Sequence, residues 1–300
     1  AAHLSGGRRV EADLVLLSIG VKPNTGFIAD SGIELGPRGH IIVDDYLRTS
    51  NEHIYAAGDA IEVTHPLTLK KTAIPLAGPA NKQGRIVAGN MLGRMSRPYK
   101  GTMGTAIAKV FNLTVGMTGA SEKLCKANNI PCSSVIIHHN DIAGYYPGAM
   151  KMCLKLIFSP ETRKVLGAQA AGYSGVDKRI DVIATAIKGN MTVDDLAEIE
   201  HAYAPPYSSA KDPVNIAGFM AQDILDGLVG SATWEDVEAA DKAGTLLLDV
   251  CTPAEFAMCR IPGAVNIPLS ELRDRLGEIP RDRKIIVYCT VGQRSYYAAR

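Results

Sequence analysis

Short apolar runs separated by Gly, Pro and Asn residues occupy the first third of the chain. The runs at residues 12–19, 41–43 and 54–57 do not alternate apolar with polar positions, which is typical of strands covered on both faces. In residues 75–91, small and apolar side chains recur at helical spacing, and this predicts a helix packed closely on a flat surface. Its packing stripe consists of Ala77, Ala80, Gly84, Val87 and Met91.

The middle of the chain has a second pattern. Residues 152–171 alternate apolar and polar positions on both sides of a turn, so an antiparallel hairpin is predicted there. Isoleucine and valine then recur at helical intervals over residues 176–187. Asp212 and Pro213 have the character of an N-cap and a first-turn proline, and they predict a helix that ends at Gly227.

The last quarter begins with small, weakly patterned residues at 228–232, which we interpret as a linker. Thr233 follows as a predicted N-cap, because acidic residues stand in the next turn. Apolar residues 285–288 predict a strand, and Cys289 lies in the turn between that strand and a helix-compatible segment. The three patterns predict an α/β and α+β multidomain chain with domains at residues 1–98, 99–227 and 228–300.

Composition and charge are ordinary for a globular protein, since 46% of the 300 residues are hydrophobic and 21% are charged. Lys plus Arg number 32 against 31 for Asp plus Glu, a balance that argues against nucleic acid as a partner. The longest apolar run, at residues 14–19, is far shorter than the roughly 20 residues of a membrane span. We therefore expect a soluble protein with no membrane association.

The six cysteines show no C-x-x-C pair and follow no signal peptide, which favours a reduced, cytoplasmic compartment. His138 and His139 are neighbours on a predicted strand and point to opposite faces, so a shared metal ion is not expected. The sequence predicts no metal site.

Cys289 is the most reactive candidate in the chain. The N–H groups of its turn, the helix that follows and the guanidinium group of Arg294 all favour a thiolate. A lone cysteine at a strand end is more commonly a small buried hydrophobe, so the surrounding sequence decides between the two interpretations. Residues 246–256 and 261–269, together with the Cys289 loop, resemble a rhodanese, a sulfurtransferase domain.

The rhodanese resemblance implies that Cys289 carries sulfane sulfur as a persulfide. The loop that would cradle this sulfur consists of Thr290, Val291, Gly292, Gln293 and Arg294. The sequence departs from the usual pattern at two places. Cys251 stands where rhodaneses usually have arginine, and Cys259-Arg260 stands where they usually have Gly-His. We also expect the domain to be incomplete at its C-terminal end.

A second candidate is Asp59, which follows a predicted strand that ends in small residues. Gly58 would allow a ligand close to the backbone, and the carboxylate could accept hydrogen bonds from sugar-alcohol hydroxyls. Residues 48–60, flanked by residues 20–24 and 74–81, resemble the second flavin-binding segment of the pyridine nucleotide-disulfide oxidoreductases. The resemblance implies FAD as cofactor, and the residues that would contact it are Gly58, Asp59, Ala60, Leu76 and Ala77.

In that family the aspartate at this place binds the flavin ribityl chain, and the helix near Leu76 points its positive end at the isoalloxazine ring. Residues 143–149, 175–181 and 203–215 resemble one branch, the coenzyme A-disulfide reductases and their rhodanese-fused relatives. That branch implies a homodimer formed through residues 99–227.

Tyr145 and Tyr203 match the two tyrosines that reach the partner's redox cysteine in the coenzyme A-disulfide reductases. A phenol can donate a proton or a hydrogen bond to a departing thiolate. The other interpretation, that Tyr-Tyr-Pro and Tyr-x-Pro-Pro only build loops, stays open at this point.

The implied activity is FAD-dependent reduction of coenzyme A disulfide, persulfide or polysulfide by NAD(P)H, coupled to sulfur transfer between small-molecule thiols. The family's G-x-G-x-x-G segments and its redox cysteine do not occur here, so we expect a C-terminal portion that alone lacks the reductase activity. The sequence does not distinguish NADH from NADPH. Two alternatives are an NADH oxidase-type flavoprotein and a non-catalytic dimerisation or interaction module.

Overall fold

The computed structural model describes residues 1–93, 97–241 and 244–300, which divide into two compact units at residues 102 and 103. In its described residues, unit 1 contains one α-helix, α1 (Ala77–Met91), and single 3₁₀ turns at Gly26–Ile28 and Gly58–Ala60. Its strands form two antiparallel pairs of two residues each, β1 (Ala2–His3) with β2 (Arg9–Val10) and β3 (Val63–Thr64) with β4 (Lys71–Thr72).

The core of unit 1 lies between helix α1 and the chain from residue 41 to residue 63. Its buried members are Ile41, Val43, Leu47, Ile61 and Val63. The predicted burial of residues 41 and 43 is therefore confirmed, although residue 41 makes only isolated bridges, to Leu35 and Ile61, in place of a full strand.

The strand predicted at residues 12–19 is wrong for this structure. These residues form no regular secondary structure, and Leu14, Leu16 and Ile19 are 85%, 85% and 89% exposed. A strand of this composition becomes stable only when neighbouring strands accept its backbone hydrogen bonds and other elements cover its faces. Within the described part of unit 1, no strand pairs with this run.

Helix α1 confirms the helix predicted at residues 75–91, but its packed face differs from the predicted stripe. Gln83 is the buried residue, and Ile86 and Val87 pack on the core, whereas Ala77 and Met91 are exposed. The helix contacts the Gly58–Ala60 turn and the core of unit 1, and these contacts cover a different set of side chains from the predicted stripe.

Unit 2 begins with a five-stranded antiparallel sheet in the order β5-β6-β9-β8-β7. The strands are β5 (Ala106–Val110), β6 (Leu113–Gly119), β7 (Ser133–Asn140), β8 (Lys151–Phe158) and β9 (Val165–Gly172). Strands β8 and β9 pair with Leu154 opposite Ala170, which confirms the predicted hairpin.

The helices of this layer are α2 (Glu122–Ala127), α3 (Val176–Lys188), α4 (Val193–Glu198) and α5 (Pro213–Leu225). Helix α3 buries its predicted stripe of Val176, Ile180, Ile183 and Ile187 against β6 and β9. Gly116 permits this approach, because a Cβ there would lie 2.9 Å from Ile180 Cγ1. Asp212 caps α5 as predicted, and the helix ends two residues before Gly227.

The remainder of unit 2 is a three-stranded parallel sheet in the order β11-β10-β12, flanked by short helices. The elements are α6 (Trp234–Glu238), β10 (Thr245–Asp249), α7 (Pro253–Met258), β11 (Val265–Asn266), β12 (Lys284–Tyr288) and α8 (Gln293–Ala299). Thr233 caps α6 as predicted. Because β10 and β12 are parallel and in register, the residues that follow them, Cys251 and Cys289, lie at the same edge of the sheet.

A hydrogen bond joins helix α8 to helix α5, in which the Tyr296 hydroxyl donates to Asp223 Oδ2 at 2.5 Å. Within the described residues, no helix is long and apolar enough to cross a lipid bilayer.

Candidate active-site elements

The predicted flavin segment of unit 1 is a tight turn held against helix α1. Gly58 has a φ of 83°, a left-handed conformation that favours glycine. Its N–H group donates to Gln83 Oε1 at 2.7 Å, and Gln83 is only 2% exposed. Gln83 thus fixes the turn that carries Asp59, a role that the sequence analysis did not assign. Its position on the inner face of the helix was the available signal.

The start of helix α1 faces the same turn. A Cβ at Gly58 would lie 3.9 Å from Ala80 Cβ in the first turns of the helix. Leu76 occupies the N-cap position without a side-chain cap, so the first N–H groups keep their capacity to donate to a ligand. Asp59 is exposed beside them. A carboxylate acceptor next to a helix N-terminus fits a ligand that combines hydroxyls with a group able to take negative charge, as FAD does.

The structure brings Tyr145 and Tyr203 together from positions 58 residues apart. Their hydroxyl oxygens lie 3.4 Å from each other, although the residues are 77% and 47% exposed. The hydrogen bond between the two hydroxyls is the main cause that raises the pKa of Tyr203 above its usual value. Because of this raised pKa, Tyr203 keeps its proton at neutral pH and can donate it to a base.

The Cys289 loop links strand β12 to helix α8, as predicted. Gly292 has a φ of 88°, and its N–H group donates to Cys289 Sγ at 3.2 Å. The left-handed turn therefore bends the loop back over the thiol, which is half-buried. Gln293 points along the helix and donates to the Tyr297 hydroxyl at 3.2 Å, and Val291 is 41% exposed. The main chain, rather than these side chains, forms the wall around the sulfur atom.

Two opposing effects set the pKa of Cys289. Burial alone would raise the pKa, but backbone N–H groups of Ser295, Val291 and Gly292 donate toward the sulfur and bring the pKa below its usual value. The Ser295 hydroxyl donates to the Gly292 carbonyl at 2.8 Å. The single hydroxyl proton of Ser295 cannot be donated to the sulfur atom at the same time, so we assign the stabilisation of the thiolate to the main-chain N–H groups.

Within the described residues Arg294 makes no hydrogen bond to the Cys289 thiol, although the two groups interact through their charges. Its guanidinium group binds both carboxylate oxygens of Glu255 at 2.8 Å and also donates to Thr290 Oγ1 at 3.2 Å. The pKa of Glu255 is lowered, chiefly by Arg294 and also by Thr252. The sequence did not indicate this ion pair. Glu255 stands three positions after Thr252, a spacing that already explains it as a helix-capping residue. The ion pair ties the Cys289 loop to helix α7.

At three of the other cysteines burial outweighs the hydrogen bonds and charges near the sulfur. Burial raises the pKa of Cys251 and Cys153, and it is the main cause that raises the pKa of Cys125 to about 12. Cys251 Sγ lies 3.6 Å from both Thr290 Oγ1 and Arg294 Nη2. It is therefore a buried neighbour of the loop that stays protonated at neutral pH.

These opposite shifts predict the pH dependence of alkylation. Cys289, with its lowered pKa, should reach half of its maximal rate with iodoacetamide at a lower pH than Cys153 and Cys251, whose pKa values are raised. Mass spectrometry of peptides quenched across the pH range measures this order. A midpoint for Cys289 equal to or above that of Cys153 would contradict the assignment of the loop donors.

His138 and His139 lie on β7, where their neighbours in the sheet are Cys153 and Met152. Among the residues that the structure describes, no group of three or more His, Cys, Asp or Glu side chains could hold a metal ion.

Comparison with known families matches three consecutive parts of the chain. Residues 1–84 match the pyridine nucleotide-disulphide oxidoreductases, residues 105–213 match the dimerisation domain of the same family, and residues 233–300 match the rhodanese-like domain. The chain belongs to the pyridine nucleotide-disulphide oxidoreductase family and carries a rhodanese-like domain, which confirms the predicted fold class and family.

Individual relatives narrow this similarity to one branch. Coenzyme A disulfide reductase of Staphylococcus epidermidis is 37% identical over 218 residues, which cover 73% of this chain and 49% of the relative. The structure of reduced Bacillus anthracis CoADR-RHD is similar with a TM-score of 0.94 and 49% identity, over 99% of this chain and 54% of that one.

An NAD-dependent persulfide reductase from A. fulgidus has a TM-score of 0.84 and 41% identity, over 94% of this chain and 50% of that protein. The chain thus spans about half the length of these relatives.

Proposed function

We propose that these residues belong to an FAD-dependent enzyme that uses NAD(P)H to reduce coenzyme A disulfide, or the corresponding persulfide or polysulfide, and that Cys289 delivers the sulfur. The observation that carries the proposal is the cradle of Cys289, a thiol of lowered pKa within a loop of N–H donors. It occurs in one chain with a dimerisation domain of the disulphide oxidoreductases. A thiolate in such a loop suits transfer of sulfur between thiols.

FAD, when bound, would supply the two-electron step between the nicotinamide and sulfur. The residues of this chain that fit it are Gly58, Asp59 and Ala60 in the turn, with Leu76 and Ala77 at the start of helix α1. Asp59 would accept hydrogen bonds from the ribityl hydroxyls. The N-terminal N–H groups of α1 would stabilise negative charge on the ring system.

Tyr145 and Tyr203 would act on the thiol side of the reaction. When a disulfide or persulfide bond is cleaved, the departing sulfur leaves as a thiolate and has to be protonated. A pair of phenols that share a hydrogen bond can supply that proton. In a homodimer formed through residues 99–227, the exposed pair would serve the redox cysteine of the partner subunit.

Sulfur transfer at Cys289 would follow thiol exchange chemistry. The Cys289 thiolate attacks the outer sulfur of a donor persulfide, the donor S–S bond breaks, and the donor leaves as a thiolate. The loop N–H groups that lie near Cys289 would then stabilise the negative charge of the bound persulfide. Attack by the coenzyme A thiolate on the outer sulfur returns Cys289 and forms coenzyme A persulfide. All six cysteines are free thiols in the structure, and we propose a reducing, cytoplasmic location.

The experiment that tests the proposal follows the flavin of the intact enzyme by absorbance. NAD(P)H should bleach the oxidised flavin spectrum, and anaerobic addition of coenzyme A disulfide should restore it within a turnover, with two thiols formed for each flavin. Rapid reoxidation by dioxygen alone would instead identify an NADH oxidase. A protein that binds no flavin would be an interaction module, and either result would overturn the proposed function.

A further inference from the structure

Arg179 is a fully buried cation that touches neither tyrosine and yet connects the two segments that carry them. It lies on helix α3 and is 1% exposed. Its guanidinium Nη2 donates to Asp212 Oδ2 at 2.8 Å, and its Nη1 donates to the Gly175 carbonyl at 3.2 Å. Asp212 is completely buried, and burial alone would raise its pKa. Arg179 and Ser208 outweigh this effect, so the pKa of Asp212 lies below its usual value. The pair therefore stays charged inside the domain.

One further bond from Arg179 fixes the base of the Tyr145 loop. Nη2 donates to the Asp141 carbonyl at 2.7 Å, and Asp141 is the residue at which the loop begins. The Asp141 carboxylate accepts from the Met150 N–H group at 2.8 Å, and the Asp141 N–H group donates to the Met150 carbonyl at 3.0 Å. The two ends of the loop around Tyr145 are thus hydrogen-bonded to each other through Asp141, the residue that Arg179 binds.

Arg179 also holds the segment that follows Tyr203. Its Nη2 contacts Ser208 Oγ at 3.2 Å, and Ser208 in turn donates to Asp212 Oδ2 at 2.6 Å. Two direct ties complete the connection between the segments. The Ser209 hydroxyl donates to the Ile142 carbonyl at 3.1 Å, and the Ala143 N–H group donates to the Pro205 carbonyl at 3.3 Å.

We propose that Arg179 is a positioning residue for the tyrosine pair. By binding Asp141 on one segment and Ser208 with Asp212 on the other, it sets the backbone separation that allows the two exposed hydroxyls to meet. The two phenols are 58 residues apart in sequence and largely exposed, so the separation of their hydroxyls depends on the two segments that carry them. The planar guanidinium group can serve several acceptors at fixed angles, which a lysine ammonium group cannot do. The effect of Arg179 on turnover rests on the proposed function, whereas its effect on the separation of the two hydroxyls does not.

Other charged groups near Asp212 do not replace Arg179. Lys178 Nζ lies 4.0 Å from Asp212 Oδ2 and is partly exposed. Burial is the main cause that lowers the pKa of His201, so its imidazole is neutral at pH 7. Of the cations near Asp212, Arg179 is the one that reaches both tyrosine segments.

The test compares Arg179→Lys with a matched control, Arg163→Lys, in the intact enzyme. Arg163 also binds carboxylates, those of Asp194 and Asp226, but in the turn between β8 and β9 and outside both tyrosine segments. The first readout is the titration of Tyr203, followed by NMR with tyrosine carrying carbon-13 at the phenol carbon. Tyr203→Phe assigns the resonance. The second readout is the turnover of coenzyme A disulfide.

We expect Arg179→Lys to return the pKa of Tyr203 toward the ordinary tyrosine value, because it separates the two hydroxyls. Tyr145→Phe should have the same effect, because it removes one of them. We also expect turnover to fall by about 10²-fold, which is typical when a catalytic group is misplaced by about 1 Å. Arg163→Lys should leave both quantities unchanged. Loss of a buried partner charge can prevent folding, so Ser208→Ala, which keeps the Arg179–Asp212 pair, is the second variant. It should shift the Tyr203 titration in the same direction by a smaller amount.

A folded Arg179→Lys variant with the Tyr203 titration of the parent would overturn the inference. If Arg179→Lys does not fold, an unchanged titration in Ser208→Ala has the same meaning. The failure of the proposed function has a different signature. In that case Tyr145→Phe and Arg179→Lys move the Tyr203 titration but leave the turnover of coenzyme A disulfide unchanged, so the positioning role stands and the acid role of the tyrosines does not.

Discussion

Replacing Cys289 by serine is expected to reduce sulfur transfer from a persulfide donor by roughly 10³-fold or more in the intact enzyme. Serine keeps the size and the hydrogen-bonding position of the side chain, but its hydroxyl ionises far less readily than a thiol whose pKa the loop lowers. Flavin reduction by NAD(P)H should be unaffected. Mass spectrometry of the sulfur-loaded protein, together with the rate of persulfide consumption, measures the effect.

Cys251→Ser and Cys259→Ser are the controls for this variant. Both residues lie in the rhodanese-like domain, and Cys251 touches Thr290 and Arg294 of the loop. Burial raises the pKa of Cys251, which disfavours a thiolate there. Both controls should load sulfur on the peptide that contains Cys289. Extra sulfur on Cys251 or Cys259, or loading that survives Cys289→Ser, would remove Cys289 as the carrier.

The second large effect is expected from Tyr145→Phe and Tyr203→Phe. Loss of a proton donor at the departing thiolate typically slows a reaction by 10²–10⁴-fold, roughly 3–5 kcal/mol of activation free energy. Turnover of coenzyme A disulfide should fall by this factor, while stopped-flow reduction of the flavin by NAD(P)H keeps its rate. The two variants should not be additive, since the hydroxyls act as one hydrogen-bonded pair.

Tyr207→Phe is the matched control, because Tyr207 lies in the same segment as Tyr203 and is 72% exposed but stands outside the pair. It should retain the turnover of the parent enzyme. If Tyr145→Phe and Tyr203→Phe also retain it, the tyrosines build the loops and do not donate the proton.

Local patterns in the sequence were sufficient to predict the elements that depend on nearby residues. The β8–β9 hairpin and helix α3 follow from alternation and helical spacing, and the caps at Asp212 and Thr233 follow from side chains that satisfy nearby N–H groups. The run at residues 12–19 shows the limit of this approach. Its apolar pattern specifies a strand only when other strands and covering elements are present, and pattern analysis does not supply them.

The candidate site was predicted unevenly for the same reason. The strand-to-helix turn at Cys289 is a local feature and could be identified from the sequence. The Glu255–Arg294 ion pair joins residues 39 positions apart, and the position of Arg294 next to the Cys289 loop gives no sign of this partner. The tyrosine pair and its connection through Arg179 likewise depend on tertiary structure. Spacing alone does not reveal them, and family resemblance pointed only to the two tyrosines.

The central claim is that sulfur carried on Cys289 becomes the substrate of a flavin-dependent reduction. The most direct measurement loads the intact enzyme with labelled sulfane sulfur, removes the donor, and then adds coenzyme A and NAD(P)H. Reduction of a sulfane sulfur to sulfide takes two electrons, so one labelled sulfide should be released for each NAD(P)H oxidised. The release should require coenzyme A and should be absent in Cys289→Ser. Oxidation of NAD(P)H with the label still bound to Cys289 would contradict the claim.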